Sequence, residues 1–291
     1  MNTQIASVAS KYRGFIGMSE VKGTFVSIGE RAYAYIRQFT IRSIIDALIE
    51  IITNCIDAYG KTSYLERNIQ IYLVGESQLV IVDWALGLTS EQLRSCFLQV
   101  GNFTSDSSSR GFFSRGAKDI SALGNVTFDA IKDGLYSQCI LDTNAYGYAT
   151  ISDVPATEEI RKRLSIPGES NGLRVTLDLL PNFQGLDANK IYQTLCNLAV
   201  FRDINSDPRN KIVLRKYEND GSLSYENRVT YTYPPGEMIL DLVYEIPGYP
   251  DETARLVVYK AEKPIPQPSE ESCLQFGFLI RDETTVYEIN T

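Results

Sequence analysis

The chain of 291 residues contains no histidine. This absence excludes a Ser-His-Asp or Cys-His nucleophile, histidine-ligated zinc and a phosphoacceptor histidine within these residues. Any general base must therefore be a carboxylate or a lysine. Long apolar runs are also missing, because no stretch approaches the roughly 20 residues that span a bilayer and the first residues lack the apolar segment of a signal peptide. We therefore expect no membrane association.

Cysteine is scarce, and none of the five cysteines belongs to a CxxC motif. An odd, scattered set is typical of a reducing compartment, so we expect a cytoplasmic protein. Basic side chains are outnumbered by acidic ones, 28 to 36, which leaves a net charge of −8. This balance argues against broad non-specific binding of nucleic acid. DNA stays open as a partner, but the charge does not support it.

Residues 46–60 predict a buried helix, within a longer helix that we place at about residues 41–59 and that Gly60 closes. At about 100° per residue, most of its surface is apolar and one narrow stripe is polar. A carboxylate in an apolar interior needs a partner, and a nucleotide with its metal is one candidate. The alternative is an ordinary amphipathic helix whose stripe is solvated. The stripe consists of Asp46, Glu50, Thr53, Asn54 and Asp57.

A hairpin is predicted next, with alternating strands at residues 68–74 and 78–82. The second strand runs into Asp83, which is followed by Ala85 and Gly87. An aspartate at the end of a buried strand can face a pocket, and a nearby glycine lets the backbone approach a flat ligand. Many aspartates at strand ends only cap turns, which is the alternative here.

A loop rich in glycine and serine, residues 101–116, precedes a short helix predicted at residues 117–123. Converging backbone N–H groups and a helix N-terminus favour an anion cradle, whereas the alternative is a surface linker. Three further strands are predicted at residues 126–143, 146–154 and 172–180. A helix is predicted at residues 188–201, and the polar stretch at 202–211 is predicted to be a turn. Later strands are predicted at residues 211–218, 228–233, 254–262 and 276–282. This order predicts an α+β fold with helices on one sheet face.

Three motifs occur in a fixed order: Glu50-x3-Asn54-x2-Asp57, then Asp83-x3-Gly87, then Gly111-x4-Gly116-x-Lys118. Together they resemble the N, G1 and G2 boxes of the GHKL ATPase superfamily, which includes gyrase B, Hsp90, histidine kinases, MutL and MORC proteins. The resemblance covers about residues 40–180. The chain differs from the family pattern at Ala85 and Ser114, where glycine is usual, and at Gly172-Leu173, where the family often has Gly-Thr.

The resemblance implies a role for each matched residue. Glu50 would be the general base that activates water, and Asn54 would coordinate Mg²⁺. Asp83 would accept the adenine amino group. The 101–116 loop would be the ATP lid. The implied nucleotide-binding residues are Asn54, Asp57, Asp83, Ala85, Gly87, Gly111, Ser114, Arg115, Gly116 and Lys118.

The fold that the resemblance implies is a Bergerat-type ATP-binding sandwich, a mixed and mainly antiparallel sheet covered by helices. We place this domain at residues 1–183, with an N-terminal arm at 1–38. Residues 184–291 would form a transducer-like, β-rich region that we expect to be incomplete.

The implied function is Mg²⁺-dependent ATP hydrolysis that drives lid closure and homodimerisation. The chain would be the ATPase part of a larger protein similar to MutL, MORC or Hsp90. The sequence does not identify the protein client or partner domain. Two alternatives remain: a protein kinase of the histidine-kinase or anti-sigma type, and a nucleotide-binding interaction module that does not hydrolyse ATP.

Overall fold

The computed structural model describes residues 41–60, 65–98, 116–144, 146–232, 235–264, 278–281 and 286–289. The arm expected at residues 1–38 lies outside these ranges. Within them the helices are α1 (Ile44–Gly60), α2 (Ser90–Leu98), α3 (Gly116–Asp119), α4 (Glu158–Leu164), α5 (Ala188–Asn197) and α6 (Arg202–Ser206). The strands are β1 (Arg67–Val74), β2 (Gln78–Asp83), β3 (Gly124–Lys132), β4 (Leu135–Leu141), β5 (Gly147–Pro155), β6 (Gly172–Leu179), β7 (Asn210–Tyr217), β8 (Leu223–Arg228), β9 (Gly236–Ile246), β10 (Tyr249–Ala261), β11 (Phe278–Arg281) and β12 (Val286–Ile289).

Strands β1 to β8 form one sheet, in the order β5-β4-β3-β6-β2-β1-β7-β8. The β1–β7 pair is parallel, and the other neighbouring strands of this sheet are antiparallel. Strands β9 and β10 form a separate hairpin, and β11 pairs with β12. The prediction of an α+β fold with a mixed, mainly antiparallel sheet is confirmed. The boundary expected at residue 183 falls between strands β6 and β7 of this one sheet.

Strand alternation divides the core between the two faces of the sheet. Ile81 on β2 belongs to the large cluster that includes Leu48 and Ile52 of α1. Its neighbours Val80 and Val82 belong to a smaller cluster on the opposite face. Successive side chains of a strand point to opposite faces, so a strand buried on both sides reads as a continuous apolar run. Strand β2 therefore lies deep in the fold, and its last residue, Asp83, pairs with Ile69 of β1 on one side and with Leu173 of β6 on the other.

Several expected elements are corrected by the structure. Residues 126–143 form two strands rather than one, because Asp133 and Gly134 both have positive φ and make a two-residue hairpin turn. Helix α4 was not expected, and it packs on the smaller cluster, so the expectation that helices cover only one face is wrong. The strand expected at residues 228–233 is found earlier in the chain: β8 runs from Leu223 to Arg228, so the two ranges share only Arg228.

Polar side chains account for two of the shifted boundaries. Helix α1 begins at Ile44 rather than near residue 41, since the side chains of Ser43 and Asp46 form a reciprocal cap. The polar stretch after residue 201, expected as a turn, begins with helix α6. No helix in the described part of the chain is both long enough and apolar enough to cross a membrane.

Candidate functional site

The polar stripe of α1 forms one wall of a cavity of about 620 Å³. Glu50, Asn54 and Asp57 lie on successive turns of the helix and all line the cavity. The opposite side of the helix is fully buried in the core, with residues such as Leu48 and Ile52. Of the five residues of the predicted stripe, three face this cavity. Asp46 instead caps the start of the helix, and Thr53 is not among the lining residues.

Residues far apart in the sequence meet in the cavity. Strand β2 contributes Asp83 at its end, the following segment contributes Gly87, and α3 contributes Ala117. Helix α2 closes another side. The remaining lining residues are Ile51, Cys55, Ala58, Leu86, Leu88, Glu91, Gln92, Ser95, Cys96, Phe97, Phe128, Lys132, Leu173 and Val175.

Glu50 is held by two hydrogen bonds in a partly buried position. The amide nitrogen of Asn54 donates to Glu50 Oε1 at 3.0 Å, and the backbone of Ala117 also donates to this carboxylate. Burial raises the pKa of Glu50 above its usual value, and the nearby charges of Asp119 and Asp57 add to the increase, while the two hydrogen bonds oppose it. A carboxylate with a raised pKa accepts a proton more readily, which suits a general base.

Asp83 is almost completely buried, at 2% exposure. The backbone N–H of Ala85 donates to Asp83 Oδ1 at 2.9 Å, and the thiol of Cys55 and the backbone of Leu173 donate further hydrogen bonds. Burial raises the pKa of Asp83 to about 6, against these three bonds, which lower it. The carboxyl group is thus fixed in orientation and stays ionised at neutral pH.

The hydroxyl of Tyr59, in the last turn of α1, fixes the strand ends beside Asp83. It donates to the carbonyl of Asn68 at 2.8 Å and accepts the backbone N–H groups of Asn68 at 3.2 Å and Trp84 at 2.8 Å. Burial raises the pKa of Tyr59, so the hydroxyl keeps its proton. Helix α1 therefore holds both the polar stripe and the end of strand β2 in one rigid unit.

Two glycines allow the close backbone packing around the site. Gly87 has φ +60°, and a Cβ atom there would lie 2.0 Å from the carbonyl oxygen of Ile131. A Cβ atom on Gly172 would lie 2.3 Å from the carbonyl oxygen of Asp83. Neither position accepts a side chain without a backbone shift.

The electrostatic character of the cavity is acidic. Among the described residues that line it, Lys132 is the single cation, against the four carboxyl groups of Glu50, Asp57, Asp83 and Glu91. The Lys132 ammonium donates to the carbonyl of Leu86 at 3.1 Å. A bare polyanion would be repelled here, whereas an anion that carries a divalent cation would be accepted.

The apolar part of the cavity includes a pair of stacked rings. Phe97 of α2 and Phe128 of β3 lie with centroids 3.8 Å apart and planes inclined by 10°. Their stacking anchors helix α2 to the sheet next to the cavity. A ligand with both a flat apolar part and a charged part would suit this lining.

Not every residue assigned from the sequence reaches the cavity. Ala85 and Lys118 are buried, at 0% and 1% exposure, and do not line it. Gly116 is the first residue of α3. Gly111, Ser114, Arg115 and the rest of the expected lid before residue 116 lie outside the described residues.

The sequence prediction missed Cys55 and Lys132 as residues of the cavity. Cys55 directly follows Asn54, but its apolar character assigned it to the core side of the helix. Lys132 precedes the Asp-Gly turn, and recognising that turn would have placed it at a strand end. The contribution of helix α2 to the cavity depends on tertiary packing.

No protein-family model matches this chain, and the search of curated proteins finds no relative.

Proposed function

We propose that this chain binds ATP with Mg²⁺ in the α1–β2 cavity and hydrolyses it, as an ATPase of the GHKL type. The observation that carries the proposal is the convergence of three separate segments on one cavity. Its lining includes Glu50, Asn54 and Asp57 of α1, Asp83 and Gly87 at the end of β2, and Ala117. Its volume of about 620 Å³ lies within the usual range for small-molecule sites.

Glu50 is the general base in this proposal. Phosphoryl transfer to water needs mainly positioning and charge stabilisation, with one group that orients water and accepts its proton. The hydrogen bond from Asn54 and the one from Ala117 fix the Glu50 carboxylate. Its raised pKa strengthens it as a base. The lack of histidine in the chain leaves the role to a group of this kind.

The residues present fit a magnesium ion. Asn54 donates its amide nitrogen to Glu50, which leaves its oxygen to coordinate a metal, and Asp57 adds a carboxylate in the same cavity. Magnesium keeps several waters and needs only one or two protein ligands beside phosphate oxygens. The described residues accordingly hold no cluster of three or more metal-binding side chains. When bound, the ion would neutralise phosphate charge in an acidic cavity.

Asp83 is the residue that recognises the base in this proposal. A buried, ionised carboxylate accepts hydrogen bonds and therefore favours an amino group on the ligand over a carbonyl group. Gly87, which lacks a side chain, leaves the neighbouring backbone open to a flat ring.

The finer architecture proposed is a Bergerat-type sandwich followed by a transducer-like region at residues 184–291. The mixed eight-stranded sheet and the position of the cavity against α1 support the first part. We also propose homodimerisation on ATP binding and a cytoplasmic location. The described cysteines, which are free thiols, support the location.

Steady-state phosphate release, measured with Mg²⁺ and with a chelator, tests hydrolysis, and calorimetry with ATP and a non-hydrolysable analogue tests binding. We expect Mg²⁺-dependent release. Tight binding without release would instead indicate a nucleotide-binding interaction module, and transfer of labelled phosphate to a protein would indicate a kinase. Absence of ATP binding in the folded protein would refute the proposal.

A further inference from the structure

Strand β5 contains a backbone conformation that a strand residue rarely adopts. Among the described residues other than glycine, three have positive φ: Asp133 in the β3–β4 turn, Ser165 directly after α4, and Asp153 at +50° inside β5. Asp133 and Ser165 follow the ends of their elements, where left-handed backbone is common. Asp153 instead interrupts a strand, and such local strain points to a role for the residue that carries it.

A β-bulge accounts for the conformation of Asp153. The pairing of β4 with β5 shifts register at this point, so that Ser152 and Asp153 of β5 lie opposite Ser137 of β4. Two residues against one is the pattern of a β-bulge, which redirects a side chain and is common next to functional sites. The Ser137 hydroxyl accepts the N–H of Asp153 at 2.9 Å and donates to Asp153 Oδ1 at 3.1 Å. The bulge thus holds the Asp153 carboxylate in one direction.

The Asp153 carboxylate contacts the first residue of helix α2. The backbone N–H of Ser90 donates to Asp153 Oδ1 at 3.2 Å, and the Ser90 hydroxyl donates to Asp153 Oδ2. The Arg94 guanidinium donates to Ser152 Oγ at 3.4 Å, which adds a contact to the other bulge residue. Helix α2 also packs against both β4 and β5. The bulge therefore attaches the N-terminal half of α2 to the sheet.

The cap within α2 does not provide this attachment. Thr89 and Gln92 form a capping box, in which the Thr89 N–H donates to Gln92 Oε1 at 3.0 Å and the Gln92 N–H donates to Thr89 Oγ1 at 3.2 Å. These bonds close the helix end but connect it to no other element. The N–H of Ser90 belongs to the first turn, whose donors have no acceptor within the helix, and Asp153 supplies one from the sheet. Its negative charge also suits a helix N-terminus.

We propose that Asp153 is a positioning residue that fixes helix α2 to the sheet and thereby keeps the α2 wall of the cavity in place. Five residues of α2 line the cavity, and the first of them, Glu91, directly follows Ser90. The other end of α2 is held by the stacking of Phe97 on Phe128. The attachment of α2 needs no ligand, whereas its consequence for MgATP affinity rests on the proposed function.

Amide hydrogen exchange in the full chain without nucleotide tests the attachment. Asp153→Gly removes the carboxylate, and glycine adopts φ +50° without strain. We expect the α2 amides to exchange about 3- to 10-fold faster, the factor for the loss of roughly one net hydrogen bond. The amides of core strand β7 report global unfolding and should change less. Asp153→Asn keeps an acceptor and tolerates positive φ, so its α2 amides should exchange as in the wild type.

Asp220→Gly is the matched control. Asp220 is an exposed residue between β7 and β8, and its Oδ1 accepts the N–H of Ser222 at 2.9 Å and the Ser222 hydroxyl at 2.6 Å. It therefore loses the same kind of serine contact, and its α2 exchange should equal that of the wild type. Unchanged α2 exchange in Asp153→Gly, or an equal increase in α2 and β7, overturns the inference.

Ser90→Ala gives a second variant, needed if Asp153→Gly does not fold. Alanine favours the helix and removes only the hydroxyl donor to Asp153, so the variant should fold. Its α2 amides should exchange faster than those of the wild type, by a smaller factor than in Asp153→Gly. Exchange at the wild-type rate in a folded Ser90→Ala variant overturns the inference as well.

Steady-state phosphate release and calorimetry with MgATP separate this inference from the proposed function. Asp153→Gly should raise the Kd and KM for MgATP about 3- to 10-fold and leave kcat within about twofold, because Glu50 and Asn54 lie on α1. Asp153→Asn should restore both constants. Faster α2 exchange with no MgATP binding in any variant, the wild type included, supports the attachment and refutes the proposed function. MgATP binding with unchanged affinity in Asp153→Gly overturns the role of Asp153 in positioning the cavity wall.

Discussion

Replacing Glu50 with glutamine isolates the proposed base from the rest of the cavity. Glutamine has nearly the same shape and keeps an oxygen that accepts the hydrogen bond from Asn54. It does not accept a proton from water. Glu50→Gln therefore removes the chemistry and preserves the local structure, whereas alanine would leave the Asn54 amide without its partner.

General-base assistance is typically worth 10²- to 10⁴-fold in rate, about 3–5 kcal/mol at the transition state. Turnover should fall by this factor. The affinity for MgATP should stay the same or increase, because one negative charge leaves an acidic cavity while Asn54 and Asp83 remain. Turnover in the wild type should also increase with pH as Glu50 ionises, at a pH above that of an ordinary glutamate, and the variant should lack this dependence.

The pH dependence of protein stability gives an independent check on the protonation of Glu50. A raised pKa in the folded state means that the group contributes most stability below its unfolded pKa, and that this contribution is lost as the pH rises through the folded pKa. Glu50→Gln should therefore be at least as stable as the wild type at pH 7. A loss of turnover in this variant is then not explained by unfolding.

The assays are steady-state phosphate release, calorimetry with MgATP, and urea denaturation at pH 5 and pH 7. Glu159→Gln is the matched control, because Glu159 is an exposed residue of α4 and loses the same charge on the surface. Its turnover should equal that of the wild type. Wild-type turnover in a folded Glu50→Gln variant would refute Glu50 as the base.

Three further predictions concern the same site. Asp83→Asn should weaken MgATP binding by about 1.5–3 kcal/mol, the range for a hydrogen bond to a charged group, and unchanged affinity by calorimetry in the folded variant would exclude Asp83 from recognition. Tyr59→Phe should lower the free energy of unfolding, measured by urea denaturation, by about 1–3 kcal/mol, since the Trp84 N–H loses its buried acceptor. A change below about 0.5 kcal/mol would contradict this prediction. Gly87→Ala should lower both the melting temperature and the affinity for MgATP, because φ is +60° and the new methyl group meets the carbonyl oxygen of Ile131. A melting temperature equal to that of the wild type would contradict this, since it would show that the backbone around residue 87 can shift.

The elements whose residue pattern is local follow from the amino-acid sequence alone. The polar stripe on α1 and the β1–β2 hairpin follow from side-chain periodicity, and both are present. The α+β class follows from their order. The Asp133-Gly134 turn and the Ser43-Asp46 cap are local sequence patterns of the same kind.

Contacts between segments that are distant in the sequence depend on tertiary packing. Strand β7 pairs in parallel with β1 across roughly 140 residues, so the sheet continues past residue 183. Such pairing depends on the packing of two whole faces, which local propensity does not encode. The pKa of Asp83 depends in the same way on burial and on hydrogen-bond partners outside its own strand. A pKa reflects the environment of a group, and that environment exists only once the chain has folded.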